Sequence, residues 1–182
     1  MQEKKRRPRG RVRVAPTGVE RPWTEDELIV TKTDIKGRIT YANEVFLRLA
    51  ELDEEEALGA PHNIIRHPDM PKCVFKLLWD TLATKREIFA FVNNLSTTGG
   101  HYWVFAHVTP SMDAAGNVTG YHSNRRKPSG AQIAKIVPIY ALLLAEERKH
   151  STPVAGMAAS TQLLLSLLKQ QGMTYDEFVF SI

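Results

Sequence analysis

Cysteine is almost missing from this chain. Cys73 stands alone among 182 residues, so no internal disulfide can form, and the simplest compartment for such a protein is the reducing cytoplasm. No apolar run approaches the roughly 18 residues that cross a bilayer, so no membrane span is expected. The basic first residues are followed by no apolar stretch and do not make a signal peptide. Also missing are internal repeats, zinc-type Cys/His spacings and any nucleophile–base pair or metal triad. The protein is therefore expected not to be an enzyme.

What is present is enough apolar material, 43%, to build a core for one domain with tails. The formal charge of +4 is unevenly placed. Residues 1–13 carry seven Lys/Arg against the single acid Glu3, a net +6, which leaves −2 for residues 14–182. The basic character belongs to a solvated arm, because like charges in a block repel and resist folding. No nucleic-acid partner is expected.

The pattern along the chain alternates hairpins and helices. Residues 28–33 and 38–41 form two short strands around the turn Asp34-Ile35-Lys36-Gly37. Asn43 caps a helix carrying Phe46, Leu47, Leu49 and Ala50, and Asp53 caps a shorter one that Gly59 ends. A longer helix spans 71–84, with Asp69 as its expected cap and Pro71 in its first turn. Phe75, Leu78, Trp79 and Leu82 recur on it at helical spacing. Strands follow at 87–95, 101–112 and 118–125. In the middle one, Tyr102, Val104, Ala106 and Val108 face one way and His101, Trp103, Phe105 and His107 the other. Neither set suits open water, so both sides of the sheet need a cover. One is the helical layer; the other is a tail, a flanking helix or a second subunit. Beyond residue 128, an apolar stripe from Ile133 to Leu144, interrupted by Pro138, precedes a helix at 157–170. Thr174 and Glu177 are spaced as a capping box for a last turn.

Pro61 to Lys72 is unlike the rest. Pro61, His62, Asn63, Arg66, His67 and Pro68 crowd stiff and polar groups that an ordinary core does not need, and they suit a segment that shapes a pocket. With Lys32-Thr33-Asp34, Tyr41-Ala42-Asn43, Trp79, Asn94, His101-Tyr102-Trp103-Val104 and Gly120-Tyr121, this stretch resembles the PAS domains of bacterial aerotaxis receptors. The resemblance covers residues 24–135. It implies an α+β PAS fold: a five-stranded antiparallel sheet in the order 2-1-5-4-3 with helices on one face, plus C-terminal helices. The implied division is a basic arm and N-terminal cap at 1–23, a PAS sensor domain at 24–130 and a helical extension at 131–182.

In function, the resemblance implies a cytoplasmic sensor that holds FAD non-covalently and passes redox or oxygen state to a signalling partner, as a homodimer. Carried over by motif, the cofactor residues are Asn43, His62, Arg66, His67, Asp69, Trp79 and Asn94. Phe75 and Phe91 are expected to complete the apolar wall. FMN is the alternative flavin. The other readings are haem ligation through His62 or His67 and a ligand-free interaction module. Cys73 is expected to be a small buried hydrophobe, since the cysteine motif of light-sensing relatives is not here. Two departures stand out. The third strand has Ala90-Phe91-Val92-Asn93-Asn94 where the family often has Gly-x-Val-Lys-Asn, and Leu95-Ser96-Thr97-Thr98 replaces a basic turn. Both are expected to touch the pocket or its rim. No receptor-type membrane anchor or output domain is read in these residues, so signalling is expected to run through contact with a partner.

Overall fold

The computed structural model describes residues 14–182, so the expected basic arm at 1–13 lies outside the described residues. Five strands form one antiparallel sheet in the order β2-β1-β5-β4-β3, as the resemblance implies. They are β1 (Ile29–Asp34), β2 (Ile39–Ala42), β3 (Ile88–Leu95), β4 (His101–Met112) and β5 (Val118–Arg126). Helices α1 (Glu44–Ala50), α2 (Glu54–Ala57) and α3 (Lys72–Ala83), with a 3-10 turn at His62–Ile65, sit between β2 and β3. Helices α4 (Gly130–Arg148), α5 (Pro153–Gln171) and α6 (Tyr175–Ser181) follow β5.

Two hairpin turns use the same local chemistry. The Asp34 carboxylate accepts the amides of Lys36 and Arg38, and the Asp113 carboxylate accepts those of Ala115 and Asn117. Short acidic side chains stabilise turns in this way. The third turn, between β3 and β4, is different. Gly99 has φ +95°, and a Cβ there would stand 2.5 Å from the Ala15 carbonyl. The chain before β1 passes this point because it hydrogen-bonds to the start of β4: Thr17 N donates to Gly99 O, His101 N to Val19 O and Arg21 N to His101 O.

The helical layer has two attachments the sequence did not reveal. Asp69 does not cap α3; Pro71 occupies the N-cap and offers no side-chain bond. The acceptor comes instead from Glu147, near the end of α4. Its carboxylate accepts Lys72 N at 2.5 Å, Cys73 N at 3.2 Å and the Ser160 hydroxyl of α5 at 3.0 Å. An acid at a helix N-terminus both satisfies orphan amides and complements the helix dipole. Pro138 does not interrupt α4, which is continuous. An internal proline costs a helix about 3 kcal/mol, and burial of Ile136, Tyr140 and Leu143 on the same helix offsets it. Helix α5 starts earlier than its apolar pattern, because Thr152 caps it and Pro153 fits its first turn. At the α4–α5 crossing a Cβ on Gly156 would lie 2.5 Å from Glu147 O, so the contact requires glycine.

The second cover of the sheet is the chain's own C-terminal region. Tyr140 of α4 lies against Trp103, ring centroids 6.1 Å apart, and donates its hydroxyl to Phe91 O at 2.7 Å. Phe180 of α6 lies 4.7 Å from Phe89 and 5.9 Å from Phe105.

Candidate functional site

The inner face of the sheet, with α3 and the 3-10 turn above it, encloses a cavity of about 230 Å³. Strand alternation selects its floor. Thr31 and Thr33 come from β1; Val92 and Asn94 from β3; Ala106 and Val108 from β4; Tyr121, Ser123 and Arg125 from β5. The roof is Phe75, Leu78, Trp79 and Leu82 of α3, with His62, Asn63, Ile65 and Arg66. Lys36 and Gly37 reach it from the β1–β2 turn. Trp79 is 44% exposed and meets Tyr121 edge-on with ring centroids 5.3 Å apart, which places the pair at the boundary between cavity and solvent.

Five of the nine residues expected to bind a cofactor line this cavity: His62, Arg66, Phe75, Trp79 and Asn94. The Arg66 guanidinium lies 4.1 Å from the centre of the Phe75 ring, a cation–π contact, and donates to Met70 O at 3.3 Å. The other four are elsewhere. Phe91 belongs to the opposite face, because its register partner is Phe105, and the two rings are 4.8 Å apart beneath α4 and α6. Asn43 is a structural clip: its Oδ1 accepts the amides of Phe46 and Val30, and its Nδ2 donates to Leu28 O, which ties α1 to β1. His67 is buried outside the lining, with Nδ1 accepting the Asp69 amide at 3.1 Å. Burial lowers its pKa. A ring nitrogen that accepts an amide carries no proton, so the Asp69 carboxylate 3.9 Å away is not its ion-pair partner. Asp69 is exposed and meets Arg148 at 3.3 Å. The turn at 95–98 does not border the cavity either: Thr97 N and Oγ1 bond to Ala50 O and Glu51 O, and the Thr98 hydroxyl bonds to the Glu51 carboxylate.

The polar part of the cavity centres on Arg125, which sequence reasoning missed. It is 5% exposed. Its Nη2 donates to Thr31 Oγ1 at 2.8 Å and faces His62 Nε2 at 2.7 Å. A guanidinium only donates, so His62 Nε2 is an acceptor and the ring is neutral with its proton on Nδ1. Burial first, and the Arg125 charge second, push the His62 pKa down to about 3. Burial brings Arg125 down to about 10, so it stays charged at neutral pH. Four buried polar atoms of lining residues have no hydrogen-bond partner: Thr33 Oγ1, Asn94 Nδ2, Ser123 Oγ and Arg125 Nη1. Leaving such groups unpaired costs about 1–3 kcal/mol each. An acceptor-rich ligand with an apolar, flat body satisfies them, and the residues present therefore fit a flavin.

They do not favour haem. His62 is the histidine of the lining, and its Nε2 already faces Arg125. No group of three metal-binding side chains occurs among the described residues. Cys73 is buried, does not line the cavity and has its thiol pKa raised, chiefly by burial; it is poorly placed to attack a ligand there.

A five-stranded antiparallel sheet in this order, with a cavity between its inner face and α3, is the form of a PAS domain. Residues 29–123 match the PAS fold family, and the chain belongs to it. Among characterised proteins it is 37% identical to the aerotaxis receptor of Escherichia coli (strain K12) over 122 residues, which is 67% of this chain and 24% of the receptor. It is 25% identical to the nitrogen fixation regulatory protein of Klebsiella pneumoniae over 97 residues, 53% of this chain and 20% of that protein. The chain thus spans a quarter or less of these relatives. The dark structure of the blue-light photoreceptor Aureochrome1 LOV superposes with a TM-score of 0.53 at 23% identity, covering 60% of this chain and 80% of the other. No helix among the described residues is long and apolar enough to cross a membrane.

Proposed function

We propose that this protein is a flavin-binding PAS sensor, with FAD as its cofactor, that reports redox state to a signalling partner. The observation that carries the reading is the cavity itself, whose largely apolar lining includes four residues with a buried polar atom that has no hydrogen-bond partner. The likeness to the aerotaxis receptor supports the same conclusion. Phe75, Leu78, Trp79, Leu82, Val92 and Val108 hold the ring. Asn94, Ser123, Thr33 and Arg125 meet its polar edge. Lys36 and Arg66, both lining the cavity, supply cations for a pyrophosphate. The bound flavin supplies reversible electron storage, and its reduction alters charge and hydrogen bonding at that edge. The protein's part is to bind, to exclude water and to transmit. Transmission runs through α3, which roofs the cavity and is gripped at its N-terminus by Glu147 and, through it, Ser160. A shift of α3 is therefore passed to α4 and α5, which present Val137, Leu142, Val154 and Leu165 to solvent. In this reading the protein is cytoplasmic, non-enzymatic and homodimeric.

The test is the absorption spectrum of the purified full chain. Visible flavin bands are expected, and denaturation followed by chromatography is expected to release FAD rather than FMN. A colourless protein that neither gains these bands nor quenches flavin fluorescence on incubation with FAD, FMN or riboflavin would falsify the reading.

A further inference from the structure

The charge of the cavity wall is one-sided. Lys36, Arg66 and Arg125 line it, and no lining residue is acidic. Lys36 is exposed and Arg66 half-buried, so water screens both to some degree. Arg125 is the exception: it is buried, charged and without a carboxylate among its hydrogen-bond partners, which are a threonine hydroxyl and a neutral imidazole. Its Nη1 has no partner. A buried cation in that condition is unfavourable for folding alone. Three further unpartnered groups on the same wall, Asn94 Nδ2, Ser123 Oγ and Thr33 Oγ1, include one more obligate donor and two hydroxyls that can donate. The wall offers hydrogen bonds and lacks acceptors that need them.

We infer that Arg125 is a ligand-recognition residue whose free Nη1 binds an electron-rich edge, carbonyl or carboxylate, of a flat ring compound in this cavity. The inference rests on the flavin reading in naming a ring carbonyl edge, and its test separates the two. His62 and Thr31 act as positioning residues. By accepting from or facing Nη2 they fix the plane of the guanidinium and leave Nη1 without a partner in a residue that lines the cavity. Arg125 thus selects for the head of the ligand, whereas Lys36 and Arg66 select for whatever its tail carries.

The experiment compares the full-length protein with Arg125→Met and Arg125→Lys, using lumiflavin, which has the ring and no phosphates, beside FAD. Arg125→Met is expected to weaken lumiflavin and FAD by the same factor, about tenfold to a hundredfold, the effect of one hydrogen bond to a charged group. The ligand-free denaturation midpoint of this variant is expected to stay level or rise, because a buried unpaired charge has gone. A structural role alone predicts the opposite pair: a lower midpoint with unchanged affinity, and that result overturns the inference. If Arg125→Met does not fold, Arg125→Lys decides, since it keeps the charge and loses the fork; lumiflavin affinity equal to wild type sinks the assignment. If the wild type binds neither flavin, the proposed function falls by itself. The inference is then judged by thermal shift with benzoate and nicotinate: stabilisation that disappears in Arg125→Lys supports it, and stabilisation independent of residue 125, or none, overturns it.

Discussion

The two faces of the sheet are finished to different degrees. On the outer side of β3 and β4, Phe89, Phe91, Trp103 and Phe105 are closed over by Tyr140 and Phe180, and the Tyr140 hydroxyl meets a backbone carbonyl that would otherwise lack a partner there. On the inner side, Thr33, Asn94, Ser123 and Arg125 line a cavity and each carries a buried polar atom without a hydrogen-bond partner. Asn93 Oδ1, on the outer side, is also buried without a partner, so the contrast lies in filling: the outer face is packed with rings and the inner face borders a cavity. Along β3, Phe89 and Phe91 belong to the packed face and Val92 and Asn94 to the cavity.

That division can be broken by substitution. Phe91→Ala is expected to have the largest effect, about 3–5 kcal/mol of lost stability, as for other fully buried aromatic truncations, read from urea denaturation. Flavin affinity, measured where the variant is folded, is expected to stay near wild type; a loss of affinity at unchanged stability would put Phe91 back in the site. Glu147→Ala comes next, at about 2–3 kcal/mol, because it strips the N-terminal amides of α3 of their acceptor. Hydrogen exchange at Lys72 and Cys73 should quicken in step with that loss. Protection at these amides unchanged from wild type would show that the clip between α3 and the C-terminal helices is not energetically real.

Acid probes the inner face. The folded-state pKa of His62, about 3, lies below its unfolded value, so the unfolded chain binds more protons between the two. Stability from this group is present above about pH 6.5 and is lost as pH falls toward 3. At pH 5 the loss is about 2 kcal/mol, at 1.36 kcal/mol per pH unit. Denaturation midpoints of wild type and His62→Gln across that range test the point: parallel curves would mean that His62 is not held neutral. Trp79→Ala is read at the flavin more than at the fold. The side chain is 44% exposed, so its buried part is worth about 2–3 kcal/mol at most, and flavin content should fall. Full flavin occupancy in that variant would remove Trp79 from the cavity wall.

Much of this was legible. Hairpin turns and the stripe on α3 follow from local chemistry and period, the strand order was implied by the family resemblance, and five lining residues lay within reach of motif and helical spacing. What failed did so for physical reasons. Ile88-Phe89-Ala90-Phe91-Val92 is apolar on both sides, because both faces of β3 are covered, so alternation had no polar phase to show which side Phe91 takes. Asn43 looked like a ligand residue because it carries amide chemistry, and that chemistry is spent within the backbone of β1 and α1. The cap of α3 comes from Glu147, far along the chain, and no window around Asp69 reveals it. Arg125 sits in Asn124-Arg125-Arg126, which has the composition of a solvated strand end. Only the two-residue step from Tyr121 through Ser123 would have turned it inward.

Both borders of the sheet are partly closed by groups that do not belong to a strand. At β2, Ile39 N donates to Ala60 O and Gly59 N donates to Ile39 O. At β3, Phe91 O accepts the Tyr140 hydroxyl, Asn93 N donates to the Met70 sulphur, and Arg66 bridges to Asn94. The positions so bonded, Ile39, Phe91, Asn93 and Asn94, are withheld from a sixth strand. Edge pairing through them would first have to break these bonds. Loss of α4 would free the Phe91 carbonyl while leaving Met70 and Arg66 in place, opening one position of the β3 border to an incoming strand.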